Sequence, residues 1–155
     1  HVAAFLRERG LPMTGVDLSI HMLAQARRRF PDLALVGADM RRLPLASGSL
    51  AGIAAMYSIV HTPLPLLLPL LREFYRALRP GAPLLLGFHL GSTSLHVDEW
   101  WQQPVSLDFH FFLGRDVNDS LLAAGFVLEE HHERAPYLGV EHASRRAYIL
   151  AARAG

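Results

Sequence analysis

Residues 14–19, with the sequence Thr14-Gly15-Val16-Asp17-Leu18-Ser19, decide the fold that we predict for this chain. The stretch is typical of a short buried strand that ends on a carboxylate and turns at once into a helix capped by Ser19. In α/β domains, an acid at the end of such a strand is where the ribose of a nucleotide is usually held. Asp17 is therefore our first candidate ligand-binding residue.

The segments around this stretch alternate between helix and strand patterns. Apolar periodicity predicts helices over residues 1–9, 20–30 and 115–124. Short apolar runs predict strands over residues 12–18, 33–38, 50–58 and 84–88. One more helix is expected to hold Pro69 in its first turn and to end near Leu78. This alternation predicts an α/β fold with a doubly wound, mostly parallel sheet, in a single domain over residues 1–155.

The pattern changes after Gly91. Residues 92–112 are aromatic and irregular, with Trp100 and Trp101 side by side, and they read as a core cover or as the wall of a ligand pocket. Residues 126–133 and 146–152 then predict two closing strands, paired antiparallel across a loop.

The amino-acid composition argues against several classes of function. The 155 residues are 51% hydrophobic and 19% charged, which is typical of one globular domain. A formal net charge of +1 gives no basic surface for nucleic acid, and no cysteine is present for disulfides or thiol catalysis. Proline interrupts the Leu-rich run at residues 64–71, so we expect no membrane span there. Without a visible signal peptide, we expect a cytoplasmic protein.

Three histidines near the end of the chain raise the question of a metal. His131 and His132 are neighbours on a predicted strand, so their side chains point to opposite faces and do not easily share one ion. His142 is not accompanied by a carboxylate–histidine spacing typical of zinc sites. We therefore expect no metal site.

Four stretches, taken in order and spacing, resemble one family. They are Gly15-Val16-Asp17-Leu18-Ser19, Gly37-Ala38-Asp39-Met40, Tyr57-Ser58-Ile59-Val60-His61 and Leu78-Arg79-Pro80-Gly81-Ala82. Each is weak alone, but together they make the first 90 or so residues similar to small class I S-adenosylmethionine-dependent methyltransferases of bacteria, which have a Rossmann-like fold. The resemblance implies methyl transfer from S-adenosylmethionine to a small-molecule acceptor.

The resemblance also assigns roles to residues. In the first half of the cofactor site, Asp17 would bind the ribose hydroxyls, and Leu18 and Met40 would contact the adenine ring. Asp39 would bind the adenine amino group, with Ser19 and Ala38 adjoining these residues. Tyr57 and Ser58 would bind the methionine end. His61 would lie beside the methyl donor as the candidate general base. His96, Trp100 and His110 would line the acceptor pocket.

One element of the family pattern is absent from the sequence. The family carries a glycine-rich turn after its first strand, and no such turn precedes Asp17. The resemblance places His1 within the helix that follows that turn, so we expect roughly 40 upstream residues to be missing or supplied by another chain. A sheet without that central strand would have unpaired apolar edges next to the strands that end at Asp17 and Ser58.

Simpler interpretations stay open at each position. Asp17 is also suited to capping a helix, Asp39 to an ordinary loop and His61 to a structural role. Two other functions compete with methyl transfer: an NAD(P)-binding oxidoreductase, which would use Asp17 in the same way, and a non-catalytic module that keeps the fold. The oligomeric state is open, a homodimer included.

Overall fold

The computed structural model describes residues 1–100 and 102–155 and divides the chain into two compact units, His1–Ala46 and Ser47–Gly155. Trp101, which the sequence places in the aromatic segment, lies outside the described residues. The single domain expected from the sequence stays a prediction.

Helices and strands alternate through the first 90 residues, as predicted. The helices are α1 (Val2–Arg7), α2 (Ile20–Arg29), α3 (Leu64–Ala77) and α4 (Gly114–Ala124). The strands are β1 (Thr14–Asp17), β2 (Ala34–Gly37), β3 (Ile53–Met56), β4 (Pro83–His89), β5 (Ser94–Trp100), β6 (Gln103–His110), β7 (Phe126–Arg134) and β8 (Arg146–Arg153). A short 3-10 turn covers Ile59–His61.

The first unit consists of α1, α2 and the parallel pair β1–β2, in which Asp17 lies opposite Gly37. The predicted cap of α2 is confirmed, because the Ser19 hydroxyl accepts a hydrogen bond from the Met22 N–H at 3.3 Å. Gly15 lies in close contact with β2, since a Cβ there would lie 2.7 Å from a methyl carbon of Leu35 and would require that side chain to shift. The local chemistry of this stretch thus brings the acid to the carboxyl end of a parallel strand pair.

The second unit is built on a four-stranded sheet in the order β3-β4-β8-β7. β3 and β4 are parallel, whereas β8 is antiparallel to both β4 and β7, which confirms the predicted closing pair. Gly125 ends α4 with a φ of 99°, a left-handed conformation that favours glycine, and its N–H bonds the carbonyls of Leu121 and Leu122. The sheet therefore places the ends of β3 and β4 side by side with the beginning of β8.

The prediction for Pro69 is wrong. α3 begins at Leu64, so Pro65 occupies the first turn and Pro69 lies inside the helix. The helix continues through Pro69 because its other face is anchored: Leu67, Leu70 and Leu71 are fully buried. Each such leucine contributes about 1.5–3 kcal/mol by burial, enough to offset the one hydrogen bond that proline removes. Pro69 itself is exposed, so water can reach the carbonyl it leaves unpaired.

The aromatic segment is more regular than the sequence suggested. β5 and β6 form an antiparallel hairpin, from Ser94 opposite His110 to Trp100 opposite Gln103. An irregularity in register between Val97 and Glu99 interrupts the alternation of side chains, and this explains why no strand period is visible in the sequence.

β1 and β3, the strands beside which the sequence predicts a missing neighbour, each lie at the margin of a sheet. Within residues 1–100 and 102–155, β1 pairs only with β2, and β3 at the margin of its sheet pairs only with β4. The side chain of Val16 on β1 is 40% exposed, an uncommon situation for a strand valine. The edges of β1 and β3 that face away from β2 and β4 are therefore unpaired among the described residues.

Candidate functional site

The two predicted acids of the first unit lie together. Asp17 ends β1, and its carbonyl accepts the backbone N–H of Ala38 at 3.0 Å, so Asp39 follows directly at the end of β2. Ends of neighbouring parallel strands are where ligands bind in sheets of this kind. The backbone segments that carry these two acids therefore lie at the same edge of the strand pair.

Asp17 keeps one carboxylate oxygen open. Its Oδ1 accepts the Ser19 N–H at 2.8 Å, the capping role that the simpler interpretation expects. Its Oδ2 has no hydrogen-bond partner among the described residues. The next residue, Leu18, exposes 69% of its surface, so an exposed apolar side chain directly follows the acid in the chain. This combination can accept hydrogen bonds from hydroxyl groups and cover a flat ring.

Asp39 is already engaged. The Arg41 side chain donates hydrogen bonds to its carboxylate, with Nε 3.0 Å from both oxygens and a terminal nitrogen 2.6 Å from Oδ2. The Arg41 backbone N–H donates to Oδ1 at 2.9 Å. These hydrogen bonds lower the pKa of Asp39. The Arg41 side chain is 54% exposed, so it can leave toward solvent at little cost. Asp39 therefore accepts a ligand only when Arg41 moves aside. Met40, between these two residues, is half-buried.

In the second unit, Tyr57 follows β3 with a φ of 55°, a left-handed conformation that is strained for a tyrosine. Its hydroxyl lies 2.8 Å from the Tyr148 hydroxyl, which also accepts a hydrogen bond from Arg134 at 2.9 Å. Burial and the bond to Tyr148 raise the pKa of Tyr57 to about 12, so its hydroxyl stays protonated at neutral pH. Ser58, the next residue, starts the 3-10 turn and points its hydroxyl at the Met56 carbonyl, 3.4 Å away.

An ion-pair cluster supports this tyrosine pair. Arg134 binds both oxygens of Glu141 at 2.8 Å and lowers the pKa of that carboxyl to about 2. Arg146, whose side chain is only 4% exposed, lies 3.4 Å from Glu141 and donates to the carbonyl of Ser144 at 2.8 Å. A charge buried to this extent needs such partners. The cluster fixes the loop between β7 and β8 at the carboxyl ends of β3 and β4.

His89 ends β4 next to Tyr57, and the sequence analysis assigns it no role. Its Nδ1 lies 2.8 Å from the Ser144 hydroxyl, and its ring contacts Tyr57 and Phe111 at centroid distances of 5.0 and 5.5 Å. Burial and the nearby Arg146 charge lower its pKa, which keeps the imidazole neutral at pH 7. The rule that singled out Asp17, a polar residue at the end of an apolar strand, also finds His89 when it is applied to residues 84–88.

His61 stands apart from that cluster. Its Nδ1 lies 2.9 Å from the carbonyl oxygen of Asp108, and its ring packs on Phe109 at 4.8 Å. A carbonyl only accepts, so Nδ1 carries the hydrogen, and Nε2 of the neutral ring has a free lone pair. His61 lines an open cleft of about 430 Å³ with Pro63, Ser106, Leu107, Asp108 and His110. The geometry leaves this nitrogen able to accept a proton.

The three predicted acceptor residues lie on the β5–β6 hairpin but are not equivalent. His110 lines the cleft beside His61, and its Nδ1 is 2.7 Å from the Ser94 hydroxyl. Trp100 stacks on Phe109 at 5.4 Å and so continues the ring packing that begins at His61. His96 instead binds Asp108 at 2.7 Å and Asp98 at 3.0 Å; these hydrogen bonds raise its pKa, with Asp108 contributing most. It is not among the residues that line the cleft.

In the part of the chain that the structure describes, no three histidine or acidic side chains converge as a metal site would require. The histidine–carboxylate contacts at His96 are hydrogen bonds between exposed groups. His131 lies 3.1 Å from the Asn118 amide and 3.4 Å from Glu133.

Comparison with known proteins identifies a family that this chain resembles. A family model described as a methyltransferase domain matches residues 1–81, just over half of the chain. Demethylmenaquinone methyltransferase of Beutenbergia cavernae is 34% identical over 84 residues, which cover 54% of this chain and 34% of that protein. Malonyl-[acyl-carrier protein] O-methyltransferase of Enterobacter lignolyticus is 30% identical over 131 residues, covering 79% and 48%. The chain thus spans half or less of the length of these two relatives.

Solved structures agree on the fold. The crystal structure of 1,6-didemethyltoxoflavin-N1-methyltransferase from Burkholderia thailandensis, with bound 1,6-didemethyltoxoflavin and S-adenosylhomocysteine, matches with a TM-score of 0.73 at 17% identity. The match covers 98% of this chain and 65% of that protein. This likeness establishes a Rossmann-like α/β architecture, as the sequence predicted.

Proposed function

Because the chain belongs to the methyltransferase domain family, we propose that it serves methyl transfer from S-adenosylmethionine to a small molecule. The observation that carries the proposal is the edge of the first unit, where Asp17 has an open carboxylate oxygen and the next residue, Leu18, has an exposed side chain. A carboxylate is an acceptor-only group that can engage two hydroxyl donors, and an apolar side chain suits the face of a purine ring.

The other proposed cofactor contacts lie near Asp17 or in the second unit. Ser19 and Ala38 supply backbone next to the acids, and Asp39 with Met40 would bind the purine edge once Arg41 has moved. Tyr57 and Ser58 would bind the amino-acid end, where the protonated Tyr57 hydroxyl can donate to a carboxylate. When bound, S-adenosylmethionine supplies a methyl group activated by a sulfonium centre.

On the acceptor side we propose His61 as the proton acceptor. An acceptor with an O–H or N–H group would donate to His61 Nε2, and the proton would pass to that nitrogen as the nucleophile lost it. The hydrogen bond from Nδ1 to the Asp108 carbonyl holds the ring in the required tautomer. His110 and Trp100 would contact the acceptor, whereas His96 would act on it through Asp108.

We also propose a bacterial, cytoplasmic setting in which one domain acts on a small molecule rather than on nucleic acid. The support is the bacterial origin of both relatives and the net charge of +1. Among the described residues, no helix is both long and apolar enough to cross a bilayer. Light scattering on the purified chain would distinguish a monomer from a homodimer.

Thermal unfolding with matched ligands tests the proposal. S-adenosylhomocysteine should raise the melting temperature, whereas NAD at the same concentration should not. A rise with NAD alone would favour the oxidoreductase alternative, and no rise with either would favour a non-catalytic module. Adenosine should have a smaller effect than S-adenosylhomocysteine, because it lacks the amino-acid part that Tyr57 and Ser58 would bind.

A further inference from the structure

Two clefts of the second unit meet at Pro63 and His110. The first is the cleft of about 430 Å³ beside His61, and the second has a volume of about 340 Å³. The second lies between the start of α3 and the residues from Gly91 to Asp116. Each volume is in the range of small-molecule sites. We call the two together the joined cleft.

The joined cleft has no permanently charged cation among its described lining residues. No arginine is among its described lining residues, and the chain contains no lysine. Its two carboxylates already have cationic partners outside the lining: His96 lies 2.7 Å from Asp108, and Arg115 lies 3.4 Å from Asp116. A carboxylate or phosphate ligand would therefore find no arginine in the lining to pair with and would lie near two carboxylates, which is unfavourable.

The two helix ends at the cleft do not compensate. An N-terminus attracts anions through free N–H groups. Pro63 and Pro65 have no N–H, however, and the Leu66 N–H bonds the Pro63 carbonyl at 2.8 Å. In the first turn of α4, Asp116 supplies a negative charge of its own. The start of α3 therefore offers fewer N–H groups than an ordinary helix start, and the start of α4 carries an opposing charge.

The remaining groups favour a neutral ligand that donates hydrogen bonds. His61 Nε2 can accept one, since its Nδ1 is committed to the Asp108 carbonyl. Apolar side chains form much of the wall. They are Pro63, Leu64, Pro65, Leu107, Phe111, Phe112 and Leu113.

We propose that the joined cleft binds an uncharged, partly apolar acceptor with an N–H or O–H group, and that it rejects carboxylate and phosphate acceptors. This inference rests on the proposed function, because it names the class of acceptor for the same site. The names of the relatives do not decide the point, since they give different acceptors.

A pair of fragments of equal shape tests the charge preference. Benzamide and benzoate differ chiefly in charge, and each can be titrated into the full chain while the ring signals of His61 and His110 are followed by NMR. His61→Asn and His110→Asn assign those signals. Benzamide should shift both signals, and benzoate should bind about tenfold more weakly or not at all. Equal or tighter binding of benzoate would overturn the inference, as would the absence of any shift with benzamide.

A charge variant sharpens the test. Ser106 is exposed and lines the cleft, so Ser106→Arg would add the missing cation and should let benzoate bind as well as benzamide. Gln103→Arg adds the same charge to the same strand outside the cleft and should leave the preference unchanged. If both variants bound benzoate equally more tightly than the parent chain, the preference would reflect the overall charge and the inference would fail. The fragment titrations contain no cofactor, so they are independent of the thermal-unfolding test with S-adenosylhomocysteine. If the fragments bound as expected but S-adenosylhomocysteine did not bind, only the proposed function would be refuted.

Discussion

Tyr148→Phe removes one oxygen atom from the centre of the network at the end of β3. That oxygen accepts a hydrogen bond from Arg134 at 2.9 Å and shares one with Tyr57 at 2.8 Å. A typical intramolecular hydrogen bond contributes about 0.5–1.5 kcal/mol net, so two give about 1–3 kcal/mol. Because Tyr57 is only half-buried and Arg134 keeps both bonds to Glu141, we expect the lower part of this range, about 1–2 kcal/mol.

Urea unfolding at neutral pH, followed by circular dichroism, measures this loss as a lower free energy of unfolding. Tyr137→Phe is the matched control, since Tyr137 is 64% exposed and its hydroxyl has no hydrogen-bond partner among the described residues. The control should change the free energy of unfolding by less than about 0.5 kcal/mol. If Tyr148→Phe were as stable as the parent, or if both variants lost the same amount, the network would not hold the end of β3 as described.

Three further predictions concern other parts of the chain. The pKa of His89 is lower in the folded than in the unfolded chain, so its neutral form stabilises the fold above about pH 6.5. Below that pH the unfolded chain takes up the proton first, and the stability falls. His89→Phe should make the urea midpoint depend less on pH in this range, and an unchanged pH profile would contradict the prediction. Arg41→Ala frees Asp39 and should tighten S-adenosylmethionine binding by up to about fivefold in calorimetry, whereas weaker binding would show that Arg41 assists the ligand. Leu67→Ala in the core should lower the free energy of unfolding in urea by about 2–5 kcal/mol, whereas Leu66→Ala on the exposed face should lower it by less than about 1 kcal/mol. Equal decreases for the two variants would mean that the buried face of α3 is misassigned.

Local chemistry explains what the sequence could predict. β1 and α2 follow from residues 14–19 because a strand run, a capping serine and a helical stripe all act over a few positions. The closing pair β7–β8 and the end of α4 at Gly125 follow for the same reason. The juxtaposition of Asp17 and Asp39 needed only one additional rule, that neighbouring parallel strands end at the same edge.

Long-range contacts explain what the sequence could not predict. The Tyr57 and Tyr148 hydroxyls meet although their residues are 91 positions apart, and His89 meets Ser144 across 55 positions. No local pattern reports such pairs. The left-handed backbone of Tyr57 is equally invisible, since tyrosine rarely adopts it.

Two misinterpretations have different causes. Pro69 was placed in a first turn because proline is favoured there, but the buried leucines of α3 outweigh that preference and extend the helix by more than one turn. The β5–β6 hairpin was overlooked because its register irregularity breaks the alternation that identifies strands.

Calorimetric titration of S-adenosylmethionine into the full chain tests the proposed cofactor site most directly. Asp17→Ala removes the acceptor for two hydroxyl groups and should weaken binding by about 10- to 100-fold, while Asp32→Ala, which removes an exposed acid of the same unit, should leave the affinity unchanged. No binding at millimolar concentration, or equal affinity for the Asp17→Ala variant and the parent chain, would contradict the assignment of Asp17 as the ribose-binding residue.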